Sequence, residues 1–402
     1  MTASALESRQ FRTYLGGNVF ALNALWMLRV TVGWIAWDST GSASFVGTVA
    51  FLYFAPTMVA GPLFGVLTDR IDIRRAAILT QTTLMCLSFT LMALLGTGNL
   101  TPLGLVIYAT LTGVVMAAHA PIRMSLAPRL VDREKIGSAV NLVVINFNIA
   151  RMTGPALAGF LIARYGVFSC LLLTSVCYVP FILALASLRP RPRDTNVIDT
   201  SRFGEALLEG FRYAGRHPSI RTALFVAAIS SFFLRGMLEV LPILADGVFD
   251  RGAAGLGLLT SVAGIGAVLG GLSLTTFPRR VDGTVPPWTL VLYAAGLFAL
   301  AALGAFAIWG AAIVLVATIA FVSTVVSIVC QSAIQMQIDD NLRGRVMSIW
   351  AVVAIGSAAL GSLAFGALVD LMSFAATALT MAALGLSTLL ARLVFGSVRR
   401  RH

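Results

Sequence analysis

What limits this chain most is a succession of apolar stretches, each roughly 20 residues or longer, separated by short polar segments from one end of the sequence to the other. Such a stretch crosses the hydrocarbon core of a bilayer as one helix, because an α-helix rises ~1.5 Å per residue and satisfies its own backbone hydrogen bonds where no water can. Twelve spans are expected, at about 12–38, 43–68, 75–96, 102–126, 138–164, 166–188, 220–247, 253–276, 286–308, 310–335, 345–370 and 372–395. With 58% of residues apolar, 11% charged and a mean hydropathy of +0.90, an ordinary soluble domain is excluded. The implied fold class is an all-α membrane protein whose surroundings are the lipid bilayer.

A net charge of +12 would suggest a nucleic-acid partner for a soluble protein, but the placement of the charge says otherwise. Of the 29 basic residues only Lys135 is lysine. Arg9 and Arg12, Arg70, Arg74 and Arg75, Arg123, Arg129, Arg133 and Lys135, the arginines from Arg189 to Arg221, Arg279 and Arg280, Arg343 and Arg345, and Arg392 with Arg399 to Arg401 all fall on one side of the expected spans. Arg164 and Arg251 fall on the other. By the positive-inside rule both termini are cytoplasmic, and the expected location is a bacterial-type inner membrane. The four cysteines lie in apolar spans with no disulfide or zinc spacing. The N-terminal segment has no short apolar core followed by a small-residue cleavage site, so the first span is expected to be retained.

Residues 189–219 interrupt the spans with charge and proline and read as a cytoplasmic linker between two halves, 1–188 and 220–402. The EALLEGFRYA portion of the linker has apolar residues at helical spacing and suits either a membrane surface or a solvated connector. The halves repeat. Gly61, Gly65, Arg74 and Arg75 match Gly266, Gly270, Arg279 and Arg280 at a shift of 205, and Asp132, Gly137, Gly154 and Gly159 match Asp339, Gly344, Gly361 and Gly366 at 207. A shift of 206 carries Leu28 and Arg29 onto Leu234 and Arg235.

Between the second and third spans lies GVLTDRIDIRR, Gly65 to Arg75. A small residue, an acid four positions on at Asp69, then Arg70 and Arg74 resemble the signature loop of the major facilitator superfamily, although Asp72 and Ile73 depart from it. The segment from Pro121 through Arg123, Pro128, Asn141, Asn148, Arg151, Gly154, Pro155 and Gly159 resembles the branch that includes the enterobactin exporter and drug exporters, as does LRGRVMSIW from Leu342. This resemblance implies two six-helix bundles related by a pseudo-twofold axis along the membrane normal, substrate bound between them, and alternating access. It also implies conformational gating by Gly65, Asp69, Arg70, Arg74 and Gly344, with Asp69 meeting the start of helix eleven near Gly344 to Val346. Gly154 and Pro155 resemble an antiporter motif; a proline that removes a hydrogen bond beside a glycine that admits close approach serves either flexing or ordinary packing.

A charge at the bilayer centre costs roughly 3 kcal/mol on insertion scales, so Arg29, Arg151, Arg235 and Glu239 are expected to face the protein interior. Two arginines at equivalent depth, Arg29 and Arg235, would converge on a carboxylate, phosphate or catecholate, which a guanidinium binds bidentately. Arg151 either joins them or pairs with Asn148 or a backbone carbonyl. Arg235 and Glu239 are four apart and form either a proton-coupled switch or a permanent ion pair. His119 is either a proton relay or a structural histidine. There is no nucleotide-binding loop, metal-ligand pair or catalytic constellation, so neither a cofactor nor an enzyme is expected.

The expected activity is therefore proton-coupled export of a small anionic or amphipathic organic molecule, such as a siderophore or drug, by a monomer. A lysophospholipid flippase is the alternative within transporters. A transport-inactive scaffold or sensor is the alternative outside them, and the buried charges argue against it, since a structural relative could replace them with apolar residues.

Overall fold

A computed structural model describes residues 4–67, 71–191, 212–276, 283–338 and 343–398. The described residues form helices and connecting turns, and eleven helical stretches among them are long and apolar enough to cross a membrane. The first four are α1 (Arg9–Thr40), α2 (Ala43–Leu67), α3 (Ile73–Gly96) and α4 (Pro102–Leu126). The next, Arg133–Ser187, runs for 55 residues, about twice what a bilayer needs. It breaks at Gly166, whose φ of 81° and ψ of 167° lie outside the helical region; a left-handed φ suits glycine, which has no Cβ to clash. The break leaves α5 (136–165) and α6 (167–187), close to the spans expected from hydropathy.

The second half contains α7 (Pro218–Ser230), α8 (Gly252–Thr276), α9 (Pro287–Ala305), α10 (Trp309–Gln337), α11 (Arg343–Met372) and α12 (Phe374–Val398). One expectation needs correction. The span 220–247 is not a single regular helix: α7 gives way to a π turn, Ser231–Arg235, a short α turn, Gly236–Leu238, and a second π stretch, Ile243–Val248. Two local causes are visible. Pro242 has no N–H to give Leu238 and its ring crowds that carbonyl. At Gly236 the backbone presses on Gly361 of α11 so closely that a Cβ there would lie 2.7 Å from the Gly361 carbonyl carbon.

The chain forms two compact units. One comprises Met1–Thr40, Leu52–Thr200 and Arg251–Ser261; the other comprises Gly41–Phe51, Ser201–Asp250 and Val262–His402. Each sequence half thus contributes the first turns of one helix, α2 or α8, to the unit built mainly from the other half.

In the first unit Phe11, Tyr14, Leu84, Ile122, Leu126, Tyr178 and Phe181 belong to one buried cluster, with the Tyr14 and Phe181 rings edge-on at 5.5 Å. The ends of its helices are tied by polar groups. Asp72 caps α3 by accepting from the Arg74 and Arg75 backbone N–H groups at 3.0 and 3.1 Å. Ser8 donates from Oγ to the Leu130 carbonyl at 2.7 Å. In the second unit Gly266 and Gly270 of α8 lie against the backbone of Ala317 and Phe321 in α10.

Because backbone rather than a flexible side chain opposes Gly236, Gly236→Ala is expected to force the short turn Gly236–Leu238 away from α11. The expected cost is about 1–3 kcal/mol, read as a lower midpoint in thermal unfolding of the detergent-solubilised protein.

Candidate functional site

Two helices of the first unit set its interior chemistry. Trp26 and Arg29 stand three apart on α1 and therefore share a face. The Arg29 guanidinium carbon lies 5.1 Å from the Trp26 ring centre and 4.9 Å from that of Phe54. From α5, Arg151 comes within 5.8 Å of the same Trp26 ring. The approach depends on Gly154: a Cβ at that position would sit 2.6 Å from Trp26 Cβ and 3.1 Å from the Asn23 carbonyl oxygen. Gly154 therefore has a packing role here, since it brings α5 onto α1 one turn beyond Arg151. Thr153 reinforces the crossing by donating to Asn23 Oδ1 at 2.7 Å, and Pro155 follows inside the helix, buried.

The series continues. Trp26 meets Phe147 of α5 edge-on at 5.8 Å, and the Arg123 guanidinium of α4 lies 4.9 Å from the Phe147 ring. Arg123 Nε and Nη1 are buried and have no hydrogen-bond partner among the described residues, as is true of Trp26 Nε1, the Tyr14 hydroxyl and the side-chain amide of Asn18. Three arginines are thus distributed over aromatic faces within one helical unit. Cation–π contacts of this kind contribute about 0.5–2 kcal/mol each, depending on desolvation. Within this unit α2 to α6 contain neither aspartate nor glutamate, and α1 contains only Asp38 near its end.

The other expected site residues fall as follows. His119 lies one turn before Arg123 on α4 and is buried. Arg235 ends the π turn, and Glu239 follows the short α turn, its N–H bonded to the Gly236 carbonyl at 3.2 Å; both side chains are half-buried. They belong to the second unit and stand on irregular backbone, so the spacing of four does not carry its usual helical geometry. Asn148 donates to the Val144 carbonyl at 2.9 Å.

Arg74, expected to gate, binds the end of α6, donating from Nε to the Leu185 carbonyl at 3.1 Å and from Nη2 to the Ala186 carbonyl at 2.5 Å. Asp69 and Arg70 lie outside the described residues, as does the expected contact of Asp69 with the start of α11. Gly65 and Gly344 lie within α2 and α11, but their surroundings are outside the described set. Among the described residues no group of three His, Cys, Asp or Glu side chains is placed to hold a metal.

Sequence reasoning missed Trp26, Phe54 and Phe147, and it weighed Arg123 only in the charge count and the family resemblance, not as a site residue. A signal existed. Trp26 with Arg29, and Phe147 with Arg151, stand at helical spacing on the two helices that meet.

Long apolar helices in two repeated sets, with arginines held inside, define a polytopic membrane transporter. The chain belongs to the Transmembrane secretion effector family of the major facilitator type, whose family model matches residues 2–401. It is 26% identical over 383 residues to the staphyloferrin A transporter of Staphylococcus aureus, covering 94% of this chain and 93% of the relative. It is 25% identical over 362 residues to the multidrug efflux pump Tap of Mycolicibacterium fortuitum, with 88% and 87% covered. With the enterobactin exporter EntS of Escherichia coli the identity is 25% over 348 residues, with 84% and 77% covered. The fold matches the crystal structure of the nucleoside transporter NupG with a TM-score of 0.77 at 13% identity, covering 96% of this chain and 98% of that one. The protein is thus a multi-pass membrane transporter, in the branch to which its helix-four and helix-five segments point, and not an enzyme.

The Trp26 platform makes a direct prediction. In a double-mutant cycle of Arg29→Gln and Trp26→Leu, unfolding free energies in detergent are expected to show a coupling of about 1 kcal/mol. Additive effects would mean that the two side chains do not interact.

Proposed function

We propose that this protein exports a small anionic organic compound with aromatic or otherwise apolar parts, such as a siderophore, by proton-coupled alternating access across a bacterial inner membrane. In this reading it works as a monomer with both termini cytoplasmic. The observation that supports it best is the distribution of Arg29, Arg151 and Arg123 over Trp26, Phe54 and Phe147 within a helical unit poor in acids. Guanidinium groups recognise carboxylate, phosphate or catecholate oxygens, while ring faces take the flat parts of the same molecule. The three curated relatives named above agree with this, since two bear siderophore names, although the third bears that of a multidrug pump.

Arg235 and Glu239 are the coupling pair in this reading. Protonation of Glu239 loosens its hold on Arg235, and deprotonation restores it. Placing the acid in the second unit and the arginine–aromatic series in the first divides coupling from recognition. Arg123, nearest the terminus-bearing end of α4, makes the first contact for a substrate arriving from the cytoplasm, and Arg29 with Arg151 hold it deeper in the membrane.

Reconstitution in liposomes with an imposed pH gradient tests both parts, using candidate siderophores and aromatic carboxylates as probes. Glu239→Gln is expected to abolish gradient-driven transport while leaving binding intact; full transport by this variant would remove Glu239 from coupling. Arg29→Ala is expected to weaken binding of the anion by about 10- to 100-fold, the loss of one charged hydrogen-bonding partner. An unchanged preference for anions in Arg29→Glu would remove that residue from the site.

A further inference from the structure

At the terminus-bearing end of the first unit, polar side chains from four helices are held within its apolar cluster. Tyr14 and Asn18 on α1, Gln81 on α3, Asn146 on α5, and His119 and Arg123 on α4 stand within about ten residues, or roughly 15 Å, of helix ends on one side of the bundle. That side is tied together by the Ala5 N–H, which donates to Ser138 Oγ at 3.1 Å, and by the Ser8 bond to Leu130. Tyr14, Asn18, Gln81, His119 and Asn146 are each more than nine-tenths buried. On every helix they alternate with members of the cluster: Asn18 falls between Tyr14 and Ala21, Gln81 between Ala77 and Leu84, Asn146 follows Val143 by one turn, and His119 precedes Ile122 by one turn.

The layer is rich in unused donors. Among the described residues, Arg123 Nε and Nη1, the Tyr14 hydroxyl, Asn18 Nδ2 and Asn146 Nδ2 lack a hydrogen-bond partner, and so do two acceptors, Asn18 Oδ1 and Gln81 Oε1. A buried polar group without a partner weakens the folded state, and a charged one does so most. Arg123 is the cation of the layer. Its charge acts on both Tyr14 and His119, which places the three side chains near one another. Phe147 offers it a ring face but no oxygen for its N–H groups. Helices α2 to α6 have no carboxylate to balance it, and the one on α1, Asp38, stands at the opposite end.

We propose that this layer binds one small monovalent inorganic anion, of the size and charge of chloride, on Arg123 Nε–H and Nη1–H, with the Tyr14 hydroxyl and the amide N–H groups of Asn18 and Asn146 around it. One guanidinium balances one negative charge. A divalent phosphate or sulfate would bring a second charge that nothing in the layer offsets. A spherical halide also accepts hydrogen bonds from any direction, as donors arriving from α1, α4 and α5 require, whereas a carboxylate prefers them near its own plane. Water would satisfy the neutral groups and leave the charge uncompensated. Held in this way the anion links three helices and fixes the direction of Arg123, and it leaves Nη2 for the contact with arriving substrate assigned to this residue above.

The test uses chloride alone. Full-length protein in detergent is exchanged into sodium gluconate, and its unfolding midpoint is followed as sodium chloride replaces gluconate at constant ionic strength and pH. One-site binding to the folded state predicts a rise of about 2–4 °C when chloride reaches roughly ten times its Kd, continuing with the logarithm of concentration. A general salt effect has the opposite sign, because gluconate is the more strongly excluded from protein surfaces. Arg123→Gln is expected to flatten the response. Tyr14→Phe, which removes only a hydroxyl, keeps the charge and is expected to move the response to about threefold to tenfold higher chloride. Arg392→Gln, at an arginine over Phe225 in the second unit, is expected to keep the parent response. If Arg123→Gln does not fold, the contrast between Tyr14→Phe and Arg392→Gln decides. Three results would overturn the proposal: no rise in the parent protein, which would leave water as the occupant; a parent-like response in Arg123→Gln or Tyr14→Phe; or an equal loss in Arg392→Gln. Because no readout involves transport, a wrong substrate or coupling assignment leaves the outcome intact.

Discussion

Close backbone contact between helices is the constraint from which the rest of this structure follows. Lipid offers no hydrophobic reward for bringing one apolar helix against another, so packing contacts and polar links have to hold them. Glycine supplies the first. Gly154 lets α5 rest on α1, Gly236 and Gly361 join the turns after α7 to α11, and Gly266 seats α8 on α10. In each case the opposing atoms are backbone or the base of a side chain, so no rotamer change would admit a methyl group. The same economy makes Gly154, expected to serve either flexing or packing, the residue that brings Arg151 to Trp26.

The order and limits of the helices were largely legible in the sequence, since length and hydropathy act locally and the bilayer sets a common scale. The break at Gly166 fell within a residue or so of the expected boundary. Helix seven was the exception. Its apolar run looks continuous, and only Pro242 hinted at interruption, because the close approach of Gly361 is a tertiary event absent from any local pattern. The arginines show the same division. Burial cost alone directed Arg29 and Arg151 inward, but their meeting at one indole depends on a helix crossing. Arg123 was passed over as a site residue for a related reason: counting charges by side says nothing of where a long side chain reaches, and this one reaches back over Phe147.

Charge is divided unevenly between the two repeats. The first has its deep arginines and almost no acid in its helices, while the second carries Arg235 with Glu239 and ends α11 with Asp370. The close-contact glycines are shared by the repeats, whereas Glu239 and Asp370 have no acidic counterpart in the first. A duplicated framework retains its contact points because each is dictated by backbone geometry, whereas side chains above it are free to diverge into separate tasks.

The carboxylate of Asp370 lies 327 positions beyond the Ala43 amide to which it bonds. At roughly 5–20 residues per second, tens of seconds separate the synthesis of these two partners. Throughout that interval the start of α2 has to find other acceptors, from water or lipid headgroups, and residues 251–261, which complete the first unit, also arrive late. Although its first six helices are made first, the N-terminal half cannot reach its final form during its own synthesis. Order of manufacture and order of assembly therefore differ, and the nascent chain has to tolerate an unfinished bundle in the membrane until its last helices emerge.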